Sequence, residues 1–171
     1  MVATLRAHGI EVPLPAGFEG RIFTRASDHG AVAYPVAHFA TFALPEQVGD
    51  FGGGAVNQLG SSDIFTVLFE YGPESVGRRL FARQGMPRAF ALSDFRPYVL
   101  RRGLPGQSGS QWFFTEAGRP FTLYVVLGSY LRRDVLVPKV NQLLARVAIA
   151  PGGPAPTPPT PTSASGGAPW N

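Results

Sequence analysis

Arginine side chains are concentrated in residues 78–102, where Asp94 is the single acidic residue. Guanidinium groups bind carboxylates and phosphates in a fixed geometry, so this stretch is the first candidate for recognition chemistry. We predict that its arginines form a basic surface that binds a protein partner. The candidate contact residues are Arg78, Arg79, Arg83, Arg88, Arg101 and Arg102, and Arg96 lies among them.

Aromatic residues alternate with these arginines and leave the type of partner open. They are Phe81, Phe90, Phe95 and Tyr98. Arginine with aromatic rings is also the composition that single-stranded nucleic acid binders use, so a nucleic-acid binder is an alternative. A solvated basic edge beside core aromatics is the structural interpretation. The whole chain carries a formal net charge of only +4, so most of its excess positive charge lies in this stretch and its electrostatic field should be asymmetric. We expect an acidic protein rather than nucleic acid as the partner.

Residues that could perform catalysis are few and poorly spaced. His8, His29 and His38 lack the spacing of metal ligands, and Ser27–Asp28–His29 are consecutive, whereas the members of a catalytic triad come from separate segments. The chain has no cysteine, which excludes thiolate nucleophiles, disulfides and cysteine-based zinc sites. His38 lies in an apolar stretch and is expected to be a structural, hydrogen-bonded histidine. We therefore predict no catalytic residue, metal or cofactor.

Four carboxylates could serve acid–base chemistry, but their sequence positions bring no two of them together. They are Asp50, Asp63, Glu70 and Glu74. Paired carboxylates are what a glycosidase needs, so this pattern gives that activity little support.

Two glycine-rich stretches, 52–54 and 103–109, resemble phosphate-binding loops only superficially. A Walker loop needs a Gly-Lys-Ser/Thr sequence, and the single lysine, Lys139, is far away in the chain. We expect mobile surface loops at both places. A cleft near Gly52 to Asn57 would instead favour a small ligand-binding or enzymatic domain, which stays an alternative.

A change of composition near Ala150 divides the chain into a single domain, residues 1–150, and a tail, residues 151–171. The tail contains seven prolines and no charged residue, so neither a helix nor a strand can run through it. We predict a disordered, flexible Pro/Thr/Ser/Gly tail with polyproline II character over residues 154–161. Trp170 near its end is a candidate anchor on a partner, because tryptophan is a favoured hot-spot residue.

Targeting signals are not evident in the sequence. No apolar run approaches the length of a membrane span, and residues 1–14 lack the basic region and apolar stretch of a signal peptide. A cytoplasmic protein is expected, with unconventional export or incorporation into a particle left open.

The hydrophobic pattern predicts an α+β domain, mainly an antiparallel sheet with a C-terminal helix packed on it. Leu136, Val140, Leu143, Leu144 and Val147 recur at helical spacing. A shorter helix is predicted over residues 74–81. Strands are predicted over residues 10–15, 20–25, 36–44 and 64–71, and residues 88–100 are predicted to form one strand or two short ones. Residues 112–115 and 121–127 are predicted to form a hairpin.

Two segments carry a family resemblance. Residues 11–18, Glu-Val-Pro-Leu-Pro-Ala-Gly-Phe, resemble the first strand and leucine–proline, glycine–aromatic sequence of Mog1/PsbP-like domains, with Phe18 at the usual tryptophan position. Residues 118–128 followed by 140–144 are similar to the closing hairpin and helix of small uncharacterised proteins from high-GC Gram-positive bacteria. The resemblance implies a bacterial partner-binding or assembly module and no catalytic residues.

The sequence thus predicts a non-catalytic interaction or assembly module that binds a protein partner through its domain, with the tail either a second contact or a flexible spacer. The partner is expected to be acidic or part of a multi-subunit assembly.

Overall fold

Two antiparallel sheets and one helix make up the chain in the computed structural model, which describes residues 3–25, 33–47, 49–97, 99 and 104–152. The α+β prediction is therefore confirmed. The predicted tail lies outside the described residues, apart from Pro151 and Gly152. Within the described part of the chain, no helix is long and apolar enough to cross a membrane.

The smaller sheet joins the two ends of the domain. Strands β1 (Thr4–Ala7) and β2 (Ile10–Pro13) form a hairpin, and the short strand β8 (Ala148–Ile149) pairs with the other edge of β2. His8 and Gly9 make the hairpin turn with positive φ angles of 51° and 72°. This geometry is that of a tight two-residue hairpin turn.

The larger sheet has five strands in the order β3-β4-β5-β7-β6. All of its pairs are antiparallel. Its strands are β3 (Glu19–Thr24), β4 (Pro35–Ala40), β5 (Ile64–Glu70), β6 (Ser108–Glu116) and β7 (Arg119–Leu127). Strand β5 lies in the middle and is buried on both faces, as its mainly apolar sequence predicts.

Each face of the larger sheet carries its own hydrophobic cluster. One face, with Ile64 and Leu68 of β5, packs against helix α1 (Arg133–Leu144) and the smaller sheet. The other face, with Phe65, Val67 and Phe69 of β5, is covered by residues of the 42–59 segment and by Tyr71. The alternation along β5 thus fills two separate layers of core.

Helix α1 presents the apolar face that the sequence predicts. Leu136, Val140, Leu143 and Leu144 are buried, whereas Gln142 is exposed. The Asn141 side chain exchanges two hydrogen bonds with the backbone of Phe90, through Oδ1 at 2.8 Å and Nδ2 at 3.0 Å.

Two predicted elements between residues 74 and 100 are wrong. The predicted helix 74–81 is two 3-10 turns, Pro73–Ser75 and Arg79–Phe81, because Gly77 between them has a φ of 81°. In the predicted strand region 88–100, the described residues 88–97 form no strand and contain a third 3-10 turn, Leu92–Asp94. The Asp94 carboxylate accepts the Ala91 N–H at 2.8 Å, and this local bond competes with strand pairing.

Candidate functional site

An open pocket of about 570 Å³ lies where the two sheets meet. Its floor is the end of β5 and the start of β7, and the β1–β2 turn forms one rim. Pro151 and Gly152, which follow β8, form another part of its wall. Six of the thirteen lining residues are tyrosine or proline: Tyr34, Pro35, Tyr71, Pro73, Pro120 and Pro151. A concave site of this volume is in the range that holds small molecules or peptide side chains.

The pocket floor is a buried ion pair. Arg119 donates from Nε to Glu70 Oε1 at 2.9 Å and from Nη2 to Glu70 Oε2 at 2.6 Å. Both side chains are only 9% exposed. The two parallel bonds make the fork geometry that arginine and carboxylate favour, so each charge neutralises the other.

Arg119 also binds the backbone of the smaller sheet. Its Nη2 donates to the His8 carbonyl at 2.9 Å, and its Nη1 donates to the carbonyls of Ala150 at 3.1 Å and Gly9 at 3.5 Å. A guanidinium has five N–H donors. The bonds to Glu70 and to these three carbonyls use all five, so Arg119 keeps no donor for an anionic ligand.

Gly9 permits this approach of the two sheets. A Cβ atom added at Gly9 would lie 2.9 Å from Nη1 of Arg119, and the φ of 72° is itself unfavourable for other residues. Because the guanidinium is held on both sides, it cannot move away from such a Cβ atom.

Two tyrosines give the pocket wall a neutral, weakly polar character. Burial, followed by the charges of Glu74 and Glu70, raises the pKa of Tyr34. Burial also raises the pKa of Tyr71, whose ring packs on those of Phe69 and Phe81. Both phenols therefore stay protonated at neutral pH and offer hydroxyl groups next to apolar ring surface.

His38 is the buried, hydrogen-bonded histidine that the sequence predicts. Its Nε2–H donates to the Asp50 carbonyl at 2.9 Å, and its ring packs edge-on against Phe23 and Phe65. The pKa of His38 is lowered, mainly because the ring is buried. Its Nδ1 finds no hydrogen-bond partner among the described residues, so protonation there would place an unpaired N–H in the core.

The glycine-rich loop at 52–54 packs onto the sheet near His38. Gly52 and Ala55 are buried, and a Cβ atom added at Gly52 would lie 2.1 Å from Cε1 of Phe65. The loop therefore covers the second face of the sheet. The other glycine-rich stretch, 103–109, is described only from residue 104 onward.

Among the described residues, the arginine-rich stretch runs along the edge strand β6, and its arginines there are exposed. Gln84 and Arg96 form isolated bridges to Thr115 and Gly109 of this strand. The stretch thereby covers a sheet edge that would otherwise be open to pairing.

Its individual arginines have different environments. Arg88 donates to the Leu144 and Val147 carbonyls at the end of α1 and lies 3.7 Å from the Glu116 carboxylate. The Arg83 guanidinium lies 4.6 Å from the centre of the Trp112 ring. Arg78 donates to the Glu74 carbonyl, and Arg79 is exposed. Arg101, Arg102 and Trp170 lie outside the described residues.

The sequence did not identify the Glu70–Arg119 pair, although it offered one signal. Glu70 ends a strand whose remaining residues are all apolar or threonine. A carboxylate at a buried position needs a cation. The sequence places Arg119 only in the turn of the predicted hairpin. Their partnership depends on the β5–β7 register, which no local pattern reveals.

Metal chemistry has no evident location in this part of the molecule. The described residues hold no group of three or more histidine, cysteine, aspartate or glutamate side chains arranged to bind a metal ion. The four carboxylates that the sequence offers for acid–base chemistry lie in different environments. Asp63, for example, accepts the Gly60 N–H at 2.7 Å.

Comparisons with protein-family models, curated proteins and solved structures found no match to this chain.

Proposed function

We propose that the protein is an interaction module that holds an uncharged segment of a protein partner in the pocket above the Glu70–Arg119 pair. The observation that carries this proposal is the complete use of the five Arg119 donors within the protein. A carboxylate or phosphate would have to break those bonds, so the floor disfavours anions. The Glu70–Arg119 pair therefore stabilises the fold, and the pocket walls provide the binding surface.

Proline and aromatic side chains suit these walls. Tyr34 and Tyr71 provide ring faces with hydroxyl donors, and prolines flank them. Proline-rich segments dock in aromatic-lined grooves because they are already extended and lose little conformational entropy on binding. A partner segment rich in proline and aromatic residues is therefore the best chemical match, as in the binding of one subunit to another within an assembly.

The test selects ligands without assuming the partner. A random peptide library is selected on the immobilised full chain, and the enriched peptides are measured against two variants that retain the wild-type melting temperature. Tyr34→Ala removes a pocket wall, and Arg79→Glu changes an exposed residue of the arginine stretch. We expect uncharged peptides with proline and aromatic residues, whose affinity falls at least tenfold with Tyr34→Ala and is unchanged with Arg79→Glu. Selected peptides whose affinity is unchanged by Tyr34→Ala would refute the pocket as the binding site.

An acidic partner on the arginine stretch is the second candidate. It is supported by Leu80, an apolar residue that is 56% exposed next to the exposed Arg79. An apolar side chain beside exposed cations is typical of a protein interface. In the same selection, this candidate predicts acidic peptides that lose affinity with Arg79→Glu and bind the Tyr34→Ala variant normally.

A further inference from the structure

We propose that Trp170 of this same chain is a ligand of the pocket, and that its indole ring occupies the space between the tyrosines above Glu70. This inference rests on the proposed function, since it names a chemical class for the same site. It begins from the place where the described chain ends. Pro151 and Gly152 line the pocket, so the residues that follow start beside it.

The chemistry of the pocket floor favours an N–H donor with an apolar body. Each Glu70 oxygen accepts one hydrogen bond from Arg119, and a carboxylate oxygen can accept a second. The indole group is a donor with no acceptor, and it presents the largest aromatic surface of any side chain. Trp170 carries the only indole in the chain besides Trp112, whose Nε1 already donates to Ser110 at 2.9 Å.

The intervening sequence is compatible with a return to the pocket. Seventeen residues, 153–169, separate Gly152 from Trp170, and this length reaches at most roughly 60 Å when extended. Glycine pairs at residues 152–153 and 166–167 allow the chain to reverse. The segment has no charged residue, which suits a pocket whose own charges are already paired.

Attachment to the same chain makes even a weak contact effective. A linked ligand has an effective concentration in the millimolar range for a linker of this kind. An indole that binds with a dissociation constant of about 0.3 mM would therefore fill most pockets in cis. A partner segment would have to compete with Trp170, so the chain would reduce its own affinity for that partner by a few fold.

Fluorescence quenching of the full chain tests the inference. Trp112→Phe leaves Trp170 as the single tryptophan, and a peptide of residues 154–171 supplies the free reference. We expect the acrylamide quenching constant of Trp170 in the full chain to be at least threefold below that of the peptide. Equal constants would overturn the inference. If Trp112→Phe fails to fold, the solvent exchange rate of the Trp170 indole N–H, assigned in the unsubstituted chain with Trp170→Phe, gives the same decision.

Two controls locate the protected ring. Tyr34→Ala should raise the quenching constant towards that of the peptide, whereas Arg79→Glu should leave it unchanged. Protection that survives Tyr34→Ala would place Trp170 elsewhere and overturn the inference. Protection should also persist on dilution from 100 µM to about 1 µM, because the contact is within one chain. Loss on dilution would mean that a second copy binds the ring, which contradicts the proposal.

The outcome for Trp170 is separable from the outcome for the proposed function. With the selected peptides as probes, Trp170→Ala should raise their affinity by about two- to tenfold, because the competing ring is gone. Unchanged affinity with continued sensitivity to Tyr34→Ala would overturn the role of Trp170 and retain the pocket as a peptide site. Peptides insensitive to Tyr34→Ala would refute the proposed function, whatever the quenching result.

Discussion

Removal of Arg119 should be among the most damaging single changes in this protein. Arg119→Met keeps much of the apolar stem but leaves the buried Glu70 carboxylate without its cation and three backbone carbonyls without donors. Breaking one partner of a buried pair costs about 3–5 kcal/mol. For a domain of this size, that cost corresponds to a melting temperature lower by about 6–20 °C.

Urea unfolding of a mutant cycle tests this reasoning. Glu70→Leu combined with Arg119→Met removes both charges, so the double variant should be more stable than Arg119→Met alone by at least about 2 kcal/mol. The matched control is Arg6→Met at the exposed Arg6–Glu11 pair, where the side chains are 72% and 41% exposed and little change is expected. Equal losses for Arg6→Met and Arg119→Met, or additive losses in the double variant, would refute the structural role of the buried pair.

Three further changes have expected outcomes. Burial lowers the pKa of His38 below its unfolded value, so the contribution of the neutral His38 to stability is complete above about pH 6.5 and is lost as the pH falls towards the folded-state pKa. The urea midpoints at pH 7.5 and pH 5 should therefore differ less in His38→Gln than in the wild type. Gly52→Ala should cost about 2–4 kcal/mol because of its φ of 85° and its contact with Phe65, whereas Gly53→Ala should be within about 0.5 kcal/mol of wild type in the same assay. Arg88→Glu should destabilise by about 1–3 kcal/mol through the end of α1 and Glu116, while Arg79→Glu should leave the melting temperature unchanged; equal effects would contradict the different environments of these arginines.

Regular elements with strong periodicity were predictable from the sequence. The apolar run Ile64–Glu70 and the β6–β7 hairpin predicted two neighbouring parts of the larger sheet, and the spacing of Leu136, Val140 and Leu144 predicted the buried face of α1. In each case, burial against the rest of the domain follows directly from a repeating apolar pattern.

The irregular region between residues 73 and 97 was not predictable in the same way. Gly77 in the left-handed region and the Asp94 cap are local features that override the apolar pattern. The sequence predicts Arg88 as a contact residue for a partner and does not reveal that it binds carbonyls more than fifty residues away, at and just after the end of a helix. Such long-range pairing to backbone leaves no trace in residue spacing.

The candidate site was the least predictable feature, because it is assembled from five separate parts of the chain, one of which is the start of β7 with Arg119. The β1–β2 turn, Tyr34, the end of β5 and the residues after β8 meet only when both sheets are formed. The sequence identified residues that could recognise a partner from local charge density. The pocket instead combines proline and tyrosine with a charged pair that is already satisfied, and this combination has no local signature.

The most direct measurement of the central claim is an NMR titration of the full chain with a peptide obtained by selection. If the pocket is the binding site, the largest amide shifts will come from its lining, namely Tyr34, Tyr71, Gly118 and Arg119, and these shifts will be absent in the Tyr34→Ala variant. Shifts concentrated instead on Arg78, Arg79 and Leu80, with the pocket amides unmoved, would contradict the account.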